Sequence, residues 1–193
     1  MESWDIKGHT LEYFDDSHEY LVDGVLVPSI TQLLKRQFGG KYDYVNAAVL
    51  ERAAIQGTAV HKAIEDYCKE GKESDLIELR NFKFLQKQYG FEVIDNEVPV
   101  ILFDNYPIAA GRLDLVLKMG GIIGGGDIKR TSALDKEYLA YQLNLYRIAY
   151  RQCYDVEWEF LRGVHLRNTT RKFVEIPINE PFIWEFIRRI KNE

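Results

Sequence analysis

Asp114 lies in Gly111-Arg112-Leu113-Asp114-Leu115-Val116-Leu117, and Asp127 opens Asp127-Ile128-Lys129, with a Gly120-Gly121 pair between them. Gly-Gly between alternating apolar runs signals a two-residue hairpin, because the tight turn needs positive φ at both central positions. Centring the hairpin there sets Asp114 opposite Asp127, with Cβ atoms ~5 Å apart and Lys129 two residues further along the same face. Like charges at that spacing destabilise a sheet unless a cation lies between them. The pattern asks for a metal ion. Leu113, Leu115, Leu117 and Ile128 fall on the opposite face, where they can bury against a helix. A solvated edge hairpin with Lys129 neutralising a carboxylate would carry the same residues, and Gly124 to Gly126 could insert a bulge. Those glycines would also leave room for a substrate backbone close to the metal.

Three further sets could join this chemistry. Gly57-Thr58-Ala59-Val60-His61 leads to Glu65 and Tyr67 on what should be one helix, with Gly57 admitting a close neighbour at its start. His61 and Glu65, four apart, share a helical face. Imidazole is a common divalent-metal ligand, although a lone helical histidine is more often a core or capped group. Gln142 and Tyr146, again four apart, stand on a helix whose Leu143, Leu145 and Ile148 pack elsewhere. They either satisfy each other by a hydrogen bond or reach toward a phosphate or Lys129. Glu97, on the strand before the hairpin, is an accessory carboxylate, an anchor for Lys129, or a surface glutamate.

Charge is uneven along the chain. The net formal charge is −5, which argues mildly against nucleic acid as a partner. Residues 1–128 carry 13 Lys+Arg against 21 Asp+Glu, but residues 129–172 carry nine against five. Arg130, Arg162, Arg167, Arg171 and Lys172 fall in this second stretch. A positive strip beside a carboxylate cluster suits a phosphate-bearing polymer; an ordinary solvated face would read similarly.

The elements that must hold these residues are readable from periodicity and turn signals. Residues 9–27 alternate around Asp15-Asp16-Ser17 and Asp23-Gly24, suggesting a small β-meander. Ser29 with Gln32 is a capping-box start for a short helix, ITQLLKRQF, closed by Gly39-Gly40. Residues 43–70 read as helical with a break near Gly57, and Ser74 caps a further helix that ends at Gly90. Strand patterns follow at 91–103, 107–118 and 122–129. A periodic helix then covers 136–152, with strands near 156–166 and 172–177 and a closing helix from Pro181. The order predicts one α/β domain over residues 1–193, with a meander and short helix over 1–40. Residues 41–193 form the core, on a mixed central β-sheet flanked by helices. Its first three strands are antiparallel and followed by a crossover helix.

The chain has 193 residues, 46% of them hydrophobic, enough for one well-buried domain. No apolar run approaches the ~20 residues a membrane helix needs, and no basic-then-apolar leader opens the sequence. A soluble, cytoplasmic protein that does not engage membrane is expected. Two cysteines, Cys68 and Cys153, are too few for a disulfide framework, a four-thiolate zinc site or an iron–sulfur cluster.

Taken together, Gly57-x-x-x-His61 with Glu65, Gly111-Arg112-Leu113-Asp114, Asp127-Ile128-Lys129 and Gln142-x-x-x-Tyr146 resemble the PD-(D/E)xK nuclease superfamily. The likeness is to the branch holding RecB-type nuclease domains, lambda exonuclease-like enzymes and the mitochondrial genome-maintenance exonuclease. The motifs stand in the family's order and cover residues 57–150. The opening LEYFDDSHEYLVDGVLVPSITQLL is also similar to phage-encoded exonucleases of this branch. Leu113 stands where the family name has proline, and the four cysteines of the iron–sulfur members are missing. The resemblance implies a restriction-endonuclease-like core. It also implies Mg²⁺ or Mn²⁺ held by Asp114, Asp127, the Ile128 carbonyl and His61, and no iron–sulfur cluster. Lys129 would orient or deprotonate the attacking water, and Gln142 and Tyr146 would position the phosphate or the attacking group. Glu65 and Glu97 are accessory candidates, and the basic residues would hold DNA. The implied activity is metal-dependent DNA hydrolysis, most readily by an exonuclease in recombination, repair or phage DNA processing. A structure-specific endonuclease and a non-catalytic nucleic-acid-binding module are the alternatives. A single-strand annealing or recombination protein as partner, and oligomer formation, are suggested by analogy alone.

Overall fold

The protein is described by a computed structural model covering residues 1–39 and 46–191. Short alternating segments with tight turns between them pair locally, and the first 27 residues do so. Strands β1 (Glu2–Ile6), β2 (His9–Phe14), β3 (Glu19–Val22) and β4 (Val25–Val27) form a four-stranded antiparallel sheet in chain order. The meander therefore begins one strand earlier than the alternation suggested. Lys7 and Gly8 both have positive φ (53° and 81°) and turn β1 into β2, although Lys-Gly is not a pair that advertises a hairpin. Helix α1 (Ile30–Phe38) starts on the expected capping box: Ser29 Oγ accepts from Gln32 N at 3.0 Å, and Gln32 Oε1 accepts from Ser29 N at 2.8 Å. Gly39 caps its end; Gly40 and residues 43–45, which the sequence reading also used, lie outside the described residues.

Helix α2 (Ala47–Glu70) runs without a break through Gly57. One helical glycine costs about 1 kcal/mol relative to alanine, and Ala53, Ala54, Ala59 and Ala63 around it favour continuation. A Cβ added at Gly57 would meet nothing within 4 Å, so no close neighbour explains this glycine. Helix α3 (Ile77–Tyr89) begins three residues after Ser74; its N-cap is Leu76, and Ser74 Oγ accepts from Leu76 N just ahead of it. It ends on Gly90 in the left-handed conformation, as expected.

The second sheet has five strands in the order β5 (Phe91–Phe103), β6 (Pro107–Met119), β7 (Ile122–Lys129), β8 (Phe160–Leu166) and β9 (Arg171–Ile176). β5, β6 and β7 are antiparallel, and α4 (Lys136–Tyr154) crosses over so that β8 lies parallel to β7. The chain is thus α/β with a four-stranded antiparallel sheet and a five-stranded mixed one. β8 starts at Phe160, later than predicted, because Trp158 is diverted into the core. It is 1% exposed, and it fills the space that a side chain at Gly125 would need. Helix α5 (Glu180–Lys191) closes the described chain.

Burial divides into two clusters. Leu115, Leu117 and Ile128 pack with Val60, Ile64, Leu79 and Phe82, which come from α2 and α3. Leu113, expected among them, belongs instead to the larger cluster of Val100, Tyr146 and the meander's Leu11. Near that end of β6 the hairpin is covered by the meander as well as by helices: Ala110 N donates to Pro28 O at 3.0 Å.

Candidate metal and catalytic site

The hairpin register is the predicted one. β6 and β7 pair from Met119 with Ile122 to Leu115 with Gly126, around Gly120 and Gly121 at φ 59° and 91°. Asp114 and Asp127 occupy the next positions, beyond the last pair of this ladder. There Asp114 Oδ2 accepts from Ile128 N at 2.7 Å, so a side chain takes the place of a strand contact. Asp127 and Lys129 meanwhile pair with Gly163 and His165 on β8. Added side chains at Gly125 and Gly163 would strike Trp158 and Leu139. Asp127 and Lys129 share that orientation by strand alternation, and so face the α4 side.

Helix α2 brings His61 over the hairpin. Its Nε2 donates to the Ile128 carbonyl at 3.2 Å, and its Nδ1 lies 3.6 Å from both Glu97 Oε1 and Asp114 Oδ1. One ligand atom from each of His61, Glu97 and Asp114 falls within 4.8 Å of the others, a spacing that could enclose a metal ion. Glu97 reaches this place through an unusual backbone. Its φ is 51°, on a strand whose pairing with β6 has already shifted register between Val93 and Asp95. A left-handed non-glycine residue costs of order 1 kcal/mol and persists where surroundings impose it, often at functional sites.

The titrating groups report the same crowding. Burial pushes the Asp127 carboxyl up to about 6, with Lys129 opposing and Asp114 adding to the shift. Asp114 is raised as well, by burial first and by Glu97, against the pull of His61 and Lys129. Burial would lower His61, but Asp114, Glu97 and Asp127 outweigh it and hold the imidazole up to about 9. Lys129 Nζ sits 2.5 Å from Asp127 Oδ2; burial would lower it too, yet the two aspartates raise it above its ordinary value.

Gln142 and Tyr146, on α4, line the same cavity of about 390 Å³ as His61, Glu97, Asp114, Asp127 and Lys129. Gln142 Oε1 is buried without a hydrogen-bond partner, so the two do not satisfy each other. Tyr146 is pushed well above its ordinary value by burial and the nearby carboxylates, which keeps its hydroxyl a donor. Gly111 makes room for it: a Cβ there would lie 3.1 Å from the Tyr146 hydroxyl.

Other predicted residues fall elsewhere. Glu65 binds Lys69 at 2.9 Å and Lys62 at 3.3 Å on α2, and does not line the cavity. Tyr67 lies under the Lys83 ammonium. The basic residues do not form one strip beside the carboxylates. Arg162 pairs with Gly126, which faces Leu115 and Leu117, and its guanidinium stacks on Phe160 and Phe173. Arg171 lies 3.6 Å over the Phe84 ring. Strand alternation sends both to the sheet face away from Asp127 and Lys129. Arg130 is held by Glu78 at 2.8 Å and Gln56 at 2.7 Å. Arg167 borders a separate groove, and Lys172 is exposed opposite His165.

The sequence reading missed one wall of the cavity: Tyr13, His18, Tyr20, Ser29, Thr31 and Arg112. Arg112 alone had a local signal, two residues before Asp114 in the same strand. It reaches Glu2 at 2.8 Å and covers the Tyr13 ring, tying the meander to the hairpin.

No protein-family profile and no curated protein matches this chain. Among solved structures it is similar to the crystal structure of SSO0001, with 17% identity, a TM-score of 0.48, and coverage of 86% of this chain and 75% of that one. Among the described residues, no helix is long and apolar enough to cross a membrane.

Proposed function

We propose that this chain is a metal-dependent deoxyribonuclease of the PD-(D/E)xK type, with a restriction-endonuclease-like core and end-dependent cleavage as its mode of action. The observation that carries the reading is the convergence of His61, Glu97, Asp114, Asp127, Lys129, Gln142 and Tyr146 on one cavity from five elements. The antiparallel β5–β6–β7 run with a crossover helix into a parallel strand supports the fold assignment.

The residues present fit a hard divalent cation. A buried and a half-buried aspartate with raised proton affinity and a neighbouring carboxylate–imidazole pair form an oxygen-rich, crowded site that a cation would relieve. Asp114, Asp127 and Glu97, with His61 and the Ile128 carbonyl, would hold Mg²⁺ or Mn²⁺. When bound, the ion supplies an activated water and neutralises charge on the phosphate. The chain's own groups do the rest. Lys129, held beside Asp127, orients the attacking water or donates toward charge building on the scissile phosphate. The Tyr146 hydroxyl and the Gln142 amide, whose Oε1 has no partner, orient the phosphate or the attacking oxygen. Lys129→Ala should therefore abolish Mn²⁺-dependent DNA cleavage with the circular dichroism spectrum unchanged. Full cleavage by that variant would refute the assigned role.

A further inference from the structure

A second cavity, of about 1010 Å³, opens between the N-terminal half of α2 and the loop joining β7 to α4, and shares no lining residue with the site cavity. Arg52, Arg130, Lys136 and Arg167 border it, against one acid, Asp135, whose carboxylate accepts from Tyr138 N at the start of α4. With Arg130 paired to Glu78, Arg52, Lys136 and Arg167 remain against Asp135, a local reversal in a chain of net charge −5. Composition alone does not produce it. The floor is apolar: Val49 and Leu50 are 47% and 38% exposed, large fractions for aliphatic side chains on one helix.

The groove is continuous with the site through the backbone. Arg130 and Thr131 directly follow Lys129. Arg52 and His61 lie on the same helix, nine residues apart, which is about 14 Å at 1.5 Å per residue. Positive side chains around an apolar floor match a nucleic-acid strand, whose charged backbone alternates with apolar sugar and base surface.

We propose that this groove carries the substrate strand away from the scissile bond, with Arg52, Lys136 and Arg167 on its phosphates and Val49 and Leu50 against sugars and bases. The proposal rests on the nuclease reading and adds the strand's path, on α2 and the β7–α4 loop rather than on β8 and β9. The test uses fluorescence anisotropy with labelled single-stranded oligonucleotides in EDTA over a range of salt. For the double variant Arg52→Ala/Lys136→Ala, Kd should rise about tenfold at 0.15 M salt, and the slope of log K against log salt should become shallower by about 1.4. Hydrolysis of bis(p-nitrophenyl) phosphate in Mn²⁺, a substrate too small to reach the groove, should be unchanged. Arg52→Lys/Lys136→Arg should keep wild-type affinity. Unchanged affinity and slope in the alanine pair, with the wild type binding and cleaving DNA, would overturn the path and leave the groove to another occupant such as a partner helix. A wild type that neither hydrolyses the small diester nor binds DNA would overturn the nuclease reading, and the path with it.

Discussion

Glu97 holds its carboxylate against His61 and Asp114 from a backbone with φ of 51°. Glycine adopts that conformation without the penalty. Glu97→Gly should leave the thermal stability of the metal-free protein unchanged or higher while weakening Mn²⁺ binding at least about tenfold. Lost stability with intact Mn²⁺ affinity would make Glu97 a structural residue. His61 gives a pH signature. Its imidazole titrates at about 9 when folded against an ordinary 6.5, so its contribution to stability is fully present below 6.5 and is lost as pH rises through 9. A metal ligand must be neutral, so Mn²⁺ binding between pH 7 and 8.5 should expel a proton, and His61→Asn should abolish that release. Calorimetry in buffers of different ionisation enthalpy reads it directly; no proton release from the wild type would contradict the ligand role. Asp114, Asp127 and Lys129 were legible in the sequence because hairpin register is local arithmetic. Tyr13, His18, Ser29 and Thr31 were not, since only tertiary packing decides which loops stand across from a hairpin.

At the scale of elements, two glycines separate propensity from packing. Gly57 sits mid-helix in open space, so Gly57→Ala should stabilise the protein by about 1 kcal/mol in chemical denaturation. A Cβ at Gly125 would lie 2.0 Å from the Trp158 ring, so Gly125→Ala should cost about 1–3 kcal/mol. The reverse order would contradict the packing described. These sites also show what the sequence concealed. Gly57 reads as a break when weighed alone, yet the alanines around it carry α2 through. Gly124 to Gly126 read as room for substrate, but Gly125 is occupied by Trp158 from within. By contrast β5 and β7 follow their turn signals closely, because Gly90 and Gly120-Gly121 act within a few residues of the boundary.

For the molecule as a whole, strand alternation overrules linear charge. Arg162 and Arg171 sit in the basic stretch but turn to the face opposite Asp127 and Lys129, stacking on Phe160, Phe173 and Phe84. The positive surface that remains near the site lies instead beside α2 and the β7–α4 loop. The meander supplies one wall of the site cavity through Tyr13, Tyr20 and the residues of the α1 cap. The central claim is that Asp114 and Asp127 serve phosphodiester hydrolysis at strand ends. A gel time course with end-labelled linear and closed circular DNA, with and without Mn²⁺, tests it most directly. The account predicts Mn²⁺-dependent loss of the linear DNA, intact circles, and a folded but inert Asp127→Asn variant. Cleavage retained by Asp127→Asn, or no Mn²⁺-dependent cleavage of either DNA by the wild type, would contradict it.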